Sequence, residues 1–185
     1  MALFSGIFAS PKQRRIERAG FELYAKTVAE ARTPYYFTTL GVPDTLDGRF
    51  DLVGLFVALL IRRLRHDQPP GPAMAQAMFD AMFSDMDVNL REMGVGDMSV
   101  GKRVRAMWEA FHGRAAAYER CLAAGDETEL ALVLARNVWR GEGGGNPGVL
   151  ARLVLREQQH LAATPLADLA RGEVTYIGLG AANET

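Results

Sequence analysis

The chain has 185 residues, 49% of them apolar and 23% charged. These are the proportions of one folded domain long enough to bury a core, and they exclude extended disorder. The 21 basic and 22 acidic side chains leave a formal charge of −1, so the basic excess that non-specific nucleic-acid binding draws on is missing.

The sequence opens on Met1-Ala-Leu-Phe-Ser-Gly-Ile-Phe8, with Lys12, Arg14 and Arg15 after it. A secretory signal has the reverse order, charge before apolar run. We expect residues 1–10 to be a flexible N-terminal segment, 11–172 a helical domain, and 173–185 an irregular tail. Leu3, Phe4, Ile7 and Phe8 followed by basic residues also fit weak attachment to an anionic bilayer surface. Ser10 and Pro11 mark a helix start, as N-cap and first helical residue. Apolar residues recur at helical spacing from Ile16 to Ala31, and Pro34 ends the element.

Residues 35–49 are rich in turn formers and read as an irregular connector. Asp51 or a neighbour is expected to cap the second helix, which is apolar nearly all round and therefore central and buried. Its run from Leu52 to Ile61 is shorter than the roughly 20 residues that span a bilayer. Arg62, Arg63 and Arg65 suit the negative end of its dipole. Pro69-Pro70-Gly71-Pro72 breaks the chain before a third helix over about 73–92. Ser99 is expected to cap a fourth, over about 100–123, and Asp126 to open a fifth, to about Arg140. After a glycine loop a sixth spans about 149–162, and Thr164-Pro165 starts a last short turn. The fold class is all-α: a single-domain bundle of about six helices with Gly/Pro-rich connectors and no strand alternation. Trp108, Trp139 and the single cysteine, Cys121, read as core. One cysteine also excludes an intramolecular disulfide and a thiolate zinc site.

Three constellations bear on function. Met74, Met78, Met82 and Met86 recur every four residues, which makes one ridge on the third helix. Such a ridge is either the core stripe of an amphipathic helix or an adaptable face for apolar clients. Glu109-Ala-Phe-His112 and Glu157-Gln-Gln-His160 are both Glu-x-x-His, the pair used in ferritin-like di-metal bundles. The second helix, however, supplies no further carboxylate within its apolar run. Gly96 to Lys102 approaches a phosphate-loop spacing, but Arg103 stands where a hydroxyl must meet magnesium. No spacing suggests a serine, threonine or cysteine nucleophile.

Gly41-Val-Pro-Asp-Thr-Leu-Asp-Gly-Arg-Phe50, Arg62-Arg-Leu-Arg65, the run Phe79-Asp-Ala-Met-Phe-Ser-Asp-Met-Asp-Val-Asn-Leu-Arg-Glu-Met-Gly-Val-Gly-Asp97, Ser99-Val-Gly-Lys102, and Ala110-Phe-His-Gly-Arg114 with Tyr118 carry a resemblance. Over roughly residues 20–125 the chain resembles the ubiquinol–cytochrome c chaperone family, in its compact bacterial form. The resemblance implies an all-helical, non-enzymatic assembly factor without cofactor or small-molecule substrate. Its client would be newly made cytochrome b on its way into ubiquinol–cytochrome c reductase, complex III. It implies a cytoplasmic protein, peripheral to the inner membrane, with the ribosome and the membrane surface as further contacts. Phe56 departs from the family, where a histidine is expected. On this reading the candidate partner-binding residues are Asp44, Asp47 and Arg49 in one turn, then Met78, Met82, Asp80, Asp85, Asp87, Arg91, Glu92, Asp97 and Lys102. The same charges could equally be caps and ion pairs.

Overall fold

The computed structural model describes residues 10–141 and 143–177; residues 1–9 of the expected N-terminal segment, with the Leu3–Phe8 cluster, lie outside them. Helix α1 (Pro11–Ala31) starts as expected: the Ser10 hydroxyl accepts from the Gln13 amide at 3.2 Å, and Pro11 opens the first turn. Thr33 and Pro34 then begin a short helix, α2 (Pro34–Thr38), inside the stretch expected to be irregular. Proline ends α1 and, with its fixed φ, starts the next turn.

The central helix α3 (Leu46–Arg65) begins one turn earlier than expected. Thr45 caps it, accepting from the Gly48 amide at 3.1 Å. Asp51 is therefore not a cap but an interior position. The early start needs Gly48, because a Cβ there would sit 2.1 Å from the Pro43 carbonyl oxygen. From Asp51 to Ile61 only Ala58 is more than marginally exposed, and α3 packs against α1, α4, α5, α6 and α7.

Helix α4 (Gly71–Glu92) is followed by α5 (Asp97–Ala124). Gly96, not Ser99, occupies the cap of α5; Ser99 lies within its first turn. Gly125, at φ 65°, terminates α5, and the Asp126 carboxylate caps α6 (Glu127–Val138) by accepting from Glu129. Helix α7 (Pro147–Ala163) and the turn α8 (Leu166–Leu169) complete the order, and no strand occurs among the described residues. Helix α1 lies along α4 and α6 along α7, with α3 between the two pairs. The first seam is close because Gly20 meets Ala77, where a Cβ would approach to 2.6 Å.

Met74, Met78 and Met82 are fully buried among Leu23, Leu52, Leu55, Leu60 and Leu64. The methionine ridge is thus the core stripe of α4, the plainer of its two readings. Cys121 and Trp139 are buried, and the indole of Trp139 donates to the Gly41 carbonyl at 2.7 Å. Trp108 is exposed, contrary to expectation, and stacks on His112 along the outer face of α5 at 4.0 Å between ring centroids. Residues 173–177 are irregular but pinned. The Ile177 amide donates to buried Glu157, the Tyr176 hydroxyl meets Thr27 at 2.6 Å, and Val174 is buried.

Candidate polypeptide-binding groove

Where α1, α3, α4 and α5 meet they leave an open groove of about 480 Å³. Its apolar lining includes Val28 from α1, Phe50 and Val53 from α3, Met86 and Leu90 from α4, and Met107 from α5. Val53, Met86 and Leu90 belong to the buried core, and Val28, Phe50 and Met107 are half-buried beside them, so the trough opens onto the edge of the core itself. Two further apolar side chains stand on the rim in water, Leu46 at 62% and Met93 at 50% exposure. An apolar trough continuous with exposed apolar rim residues marks an interaction surface more than it serves stability.

Charge surrounds this trough. Arg32, Arg49, Arg103, Arg114 and Arg140 line it, against Asp47 and Asp85. At its base the Asp51 carboxylate, 0% exposed, is gripped by Arg114 and by Arg140 at 3.1 Å; Arg140 also reaches Asp47 at 3.0 Å. Burial pushes the Asp51 carboxyl upward, against the pull of Arg114 and Arg140. Arg140 holds this position from a left-handed backbone, φ 55°, an uncommon conformation for a side chain of its size. The network fixes three segments, α3, α5 and the turn after α6, around one buried charge. Pairs of this kind contribute more to geometry than to net stability. On the opposite wall the Tyr24 hydroxyl donates to Asp85 at 2.7 Å. Burial, and next the hydrogen bond to Asp85, raise the Tyr24 phenol well above its ordinary range.

The structure gathers only part of the sequence-derived surface. Asp47, Arg49 and Asp85 line the groove. Asp44 sits beside it, accepting from Arg49, whose guanidinium also lies over the Phe37 ring at 5.9 Å. Asp87, Arg91 and Asp97 form a separate exposed cluster at the α4–α5 turn, with Arg91 bridging both carboxylates; Glu92 and Lys102 are exposed nearby in the chain. Asp80 lies on the other flank of α4, outside the groove. Met78 and Met82 are interior and offer nothing to a partner in this state. Sequence reasoning missed Tyr24, Arg32, Leu46, Phe50, Asp51, Arg103 and Arg140 as site residues. The one signal for them in the sequence is Asp51, an acidic residue opening an otherwise apolar run, whose position also suits a cap.

The two Glu-x-x-His motifs do not converge. Glu109 pairs with Arg105 on the surface of α5, and His112 stacks on the Trp108 ring with its Nδ1 2.9 Å from the Trp108 carbonyl oxygen. Glu157 and His160 bind the 173–177 segment, His160 through Thr175 at 3.0 Å. Among the described residues no group of three or more His, Cys, Asp or Glu side chains is placed to hold a metal. The di-metal alternative is therefore withdrawn, because helix order puts the motifs on separate faces.

The described residues thus form an all-helical domain with an apolar trough edged by guanidiniums. Residues 38–176 match the family model described as ubiquinol-cytochrome C chaperone, and the chain belongs to that family. A crystal structure of the Cbp3 homolog from Brucella abortus is similar with a TM-score of 0.82 and 32% identity, covering 91% of this chain and 94% of that one. The ubiquinol-cytochrome-c reductase complex assembly factor 1 of Xenopus laevis is 23% identical over 126 residues. That match covers 68% of this chain and 60% of the frog protein, so the chain spans under two thirds of that relative's length.

Proposed function

We propose that this chain is an assembly chaperone for ubiquinol–cytochrome c reductase, complex III, and that it works by holding newly made cytochrome b rather than by catalysis. The observation that carries this reading is the groove between α1, α3, α4 and α5, an apolar trough with exposed Leu46 and Met93 at its edge. It lies within a family that takes its description from that complex. A newly made membrane protein exposes apolar segments that aggregate unless covered. A trough with some apolar side chains in water and a rigid charged base can cover one without unfolding itself. Asp47, Arg49 and Asp85 are the sequence-derived candidates that would contact the client there. Asp44 would act by holding Arg49, and the Asp87–Arg91–Asp97 cluster would extend the surface beyond the α4–α5 turn.

No helix among the described residues is long and apolar enough to cross a membrane. The reading has the chaperone meeting its client at the cytoplasmic face of the inner membrane, near the ribosome that makes it. A photo-crosslinker at Leu46 or Met93 should trap cytochrome b in growing cells, and a clean deletion should lower assembled complex III while cytochrome b transcript stays normal. Undiminished complex III in the deletion strain would end the proposal.

A further inference from the structure

The proposal above leaves open what kind of segment the groove accepts, and the charges around it answer that question. Of its two lining carboxylates, Asp47 pairs with Arg140, while Asp85 accepts from the neutral Tyr24 hydroxyl. Beneath them Asp51 is shared by Arg114 and Arg140. Arg49 has the exposed Asp44. Arg32, at the end of α1, and Arg103, on α5, line the groove from different helices, and neither has an ion-pair partner among the described residues. Asp85 keeps its charge, because the hydroxyl that binds it is neutral, so what is left over around this apolar trough is two guanidiniums, from two separate walls, against one carboxylate, a net positive charge.

We infer that the groove selects an apolar polypeptide segment flanked by carboxylates, which Arg32 and Arg103 receive as its apolar side chains enter between Phe50, Met86 and Leu90. This rests on the groove being the client site. Guanidinium is suited to the task, since its planar fork takes a carboxylate through paired N–H donors and is weakly hydrated for a cation. Complementary charge at a rim chiefly fixes partner choice and register, while the apolar contacts supply most of the affinity. A segment with lysines at its ends would meet the same arginines as like charges and be rejected.

The test uses the full chain and two synthetic peptides with the same apolar centre, one flanked by aspartates and one by lysines, with binding followed by fluorescence anisotropy at low and at moderate salt. The expected result is that the aspartate-flanked peptide binds about tenfold more tightly, with a preference that shrinks as salt rises. Arg32→Glu with Arg103→Glu should abolish or invert the preference. Both residues are exposed, and an unchanged melting temperature confirms that the fold survives; Arg32→Ala with Arg103→Ala serves if it does not. Equal binding of the two peptides, or a preference that survives the double reversal, overturns the inference. So does competition for the same arginines by vesicles containing anionic phospholipid but not by peptide, which would make the occupant a lipid surface. If cytochrome b is still trapped at Leu46 while the peptides bind equally, the assembly role stands and only the selectivity falls. If the peptide preference holds but no cytochrome b is trapped, the client assignment fails instead.

Discussion

Helices α1 and α4 each contribute a wall to two different grooves, and the two could hardly differ more in charge. On one side Tyr24, Val28 and Arg32 face Met86, Leu90 and Met93 across the arginine-edged trough. On the other, Glu17 and Phe21 face Asp80, Ser84 and Val88 along a hollow of about 470 Å³, which has three carboxylates and no basic lining residue. Phe21 is 61% exposed there, and Asp85 borders both. The first groove is a junction of four helices, to which α3 and α5 add Phe50, Met107 and most of the arginines. The second is a seam of two. The chemistry of a helix face is therefore completed by its neighbours: the same α4 presents an acidic edge alone and a basic one where α3 and α5 join it.

The largest effect that would break this contrast is at the base of the junction. Asp51→Ala should cost about 1–3 kcal/mol, because it leaves the half-buried Arg114 without its anion while Arg140 keeps Asp47; urea unfolding measures it, and a loss near zero would mean the network does not organise the groove. Next, Leu46→Arg with Met93→Arg should weaken client capture by about 2 kcal/mol while leaving thermal stability nearly unchanged, read as the yield of assembled complex III on native gels. The matched pair in the acidic hollow, Phe21→Arg with Val88→Arg, should leave that yield intact; equal loss from both would show a client spanning the two grooves.

A smaller effect separates the groove from the clamp on residues 173–177. Burial raises the Glu157 carboxyl above its ordinary range, with the Ile177 amide opposing. A carboxyl raised in the folded state contributes most in acid, and that contribution is lost as pH rises from the ordinary carboxylate range through its folded value. Glu157→Gln should therefore raise the melting temperature relative to the parent at neutral pH, with the difference closing in mild acid; a gain largest in acid would contradict the assignment. Smallest of all, Glu109→Gln and His112→Gln should each change stability by no more than about 0.5 kcal/mol and leave complex III yield unaffected, which calorimetry and native gels would check.

Much of the fold was legible. Ser10-Pro11, Asp126 and Gly125 mark helix boundaries through local hydrogen bonds and backbone preference, and they lie where those rules put them. The apolar run after Asp51 identified the central helix, because only a fully surrounded helix has no polar face to keep. Two boundaries failed: at Thr45 the early start depends on Pro43 closing over Gly48, a fit that residue types alone do not announce, and at Gly96 the helix begins three residues before the hydroxyl of Ser99, with no side-chain cap.

The site was less legible, for a related reason. Composition, periodicity and turn chemistry act over a few residues, so the sequence by itself determined that the chain is a helical bundle with a buried methionine stripe, and motif likeness placed its family. Whether an aspartate is a cap or a buried anion depends on partners 63 and 89 residues away. Arg32, Arg103, Asp47 and Asp85 become parts of one surface only when four helices converge. Pairs one helical turn apart, such as Asp87 with Arg91, follow from sequence spacing; tertiary structure decided the long-range ones around Asp51, because those are set by distance in space and not along the chain.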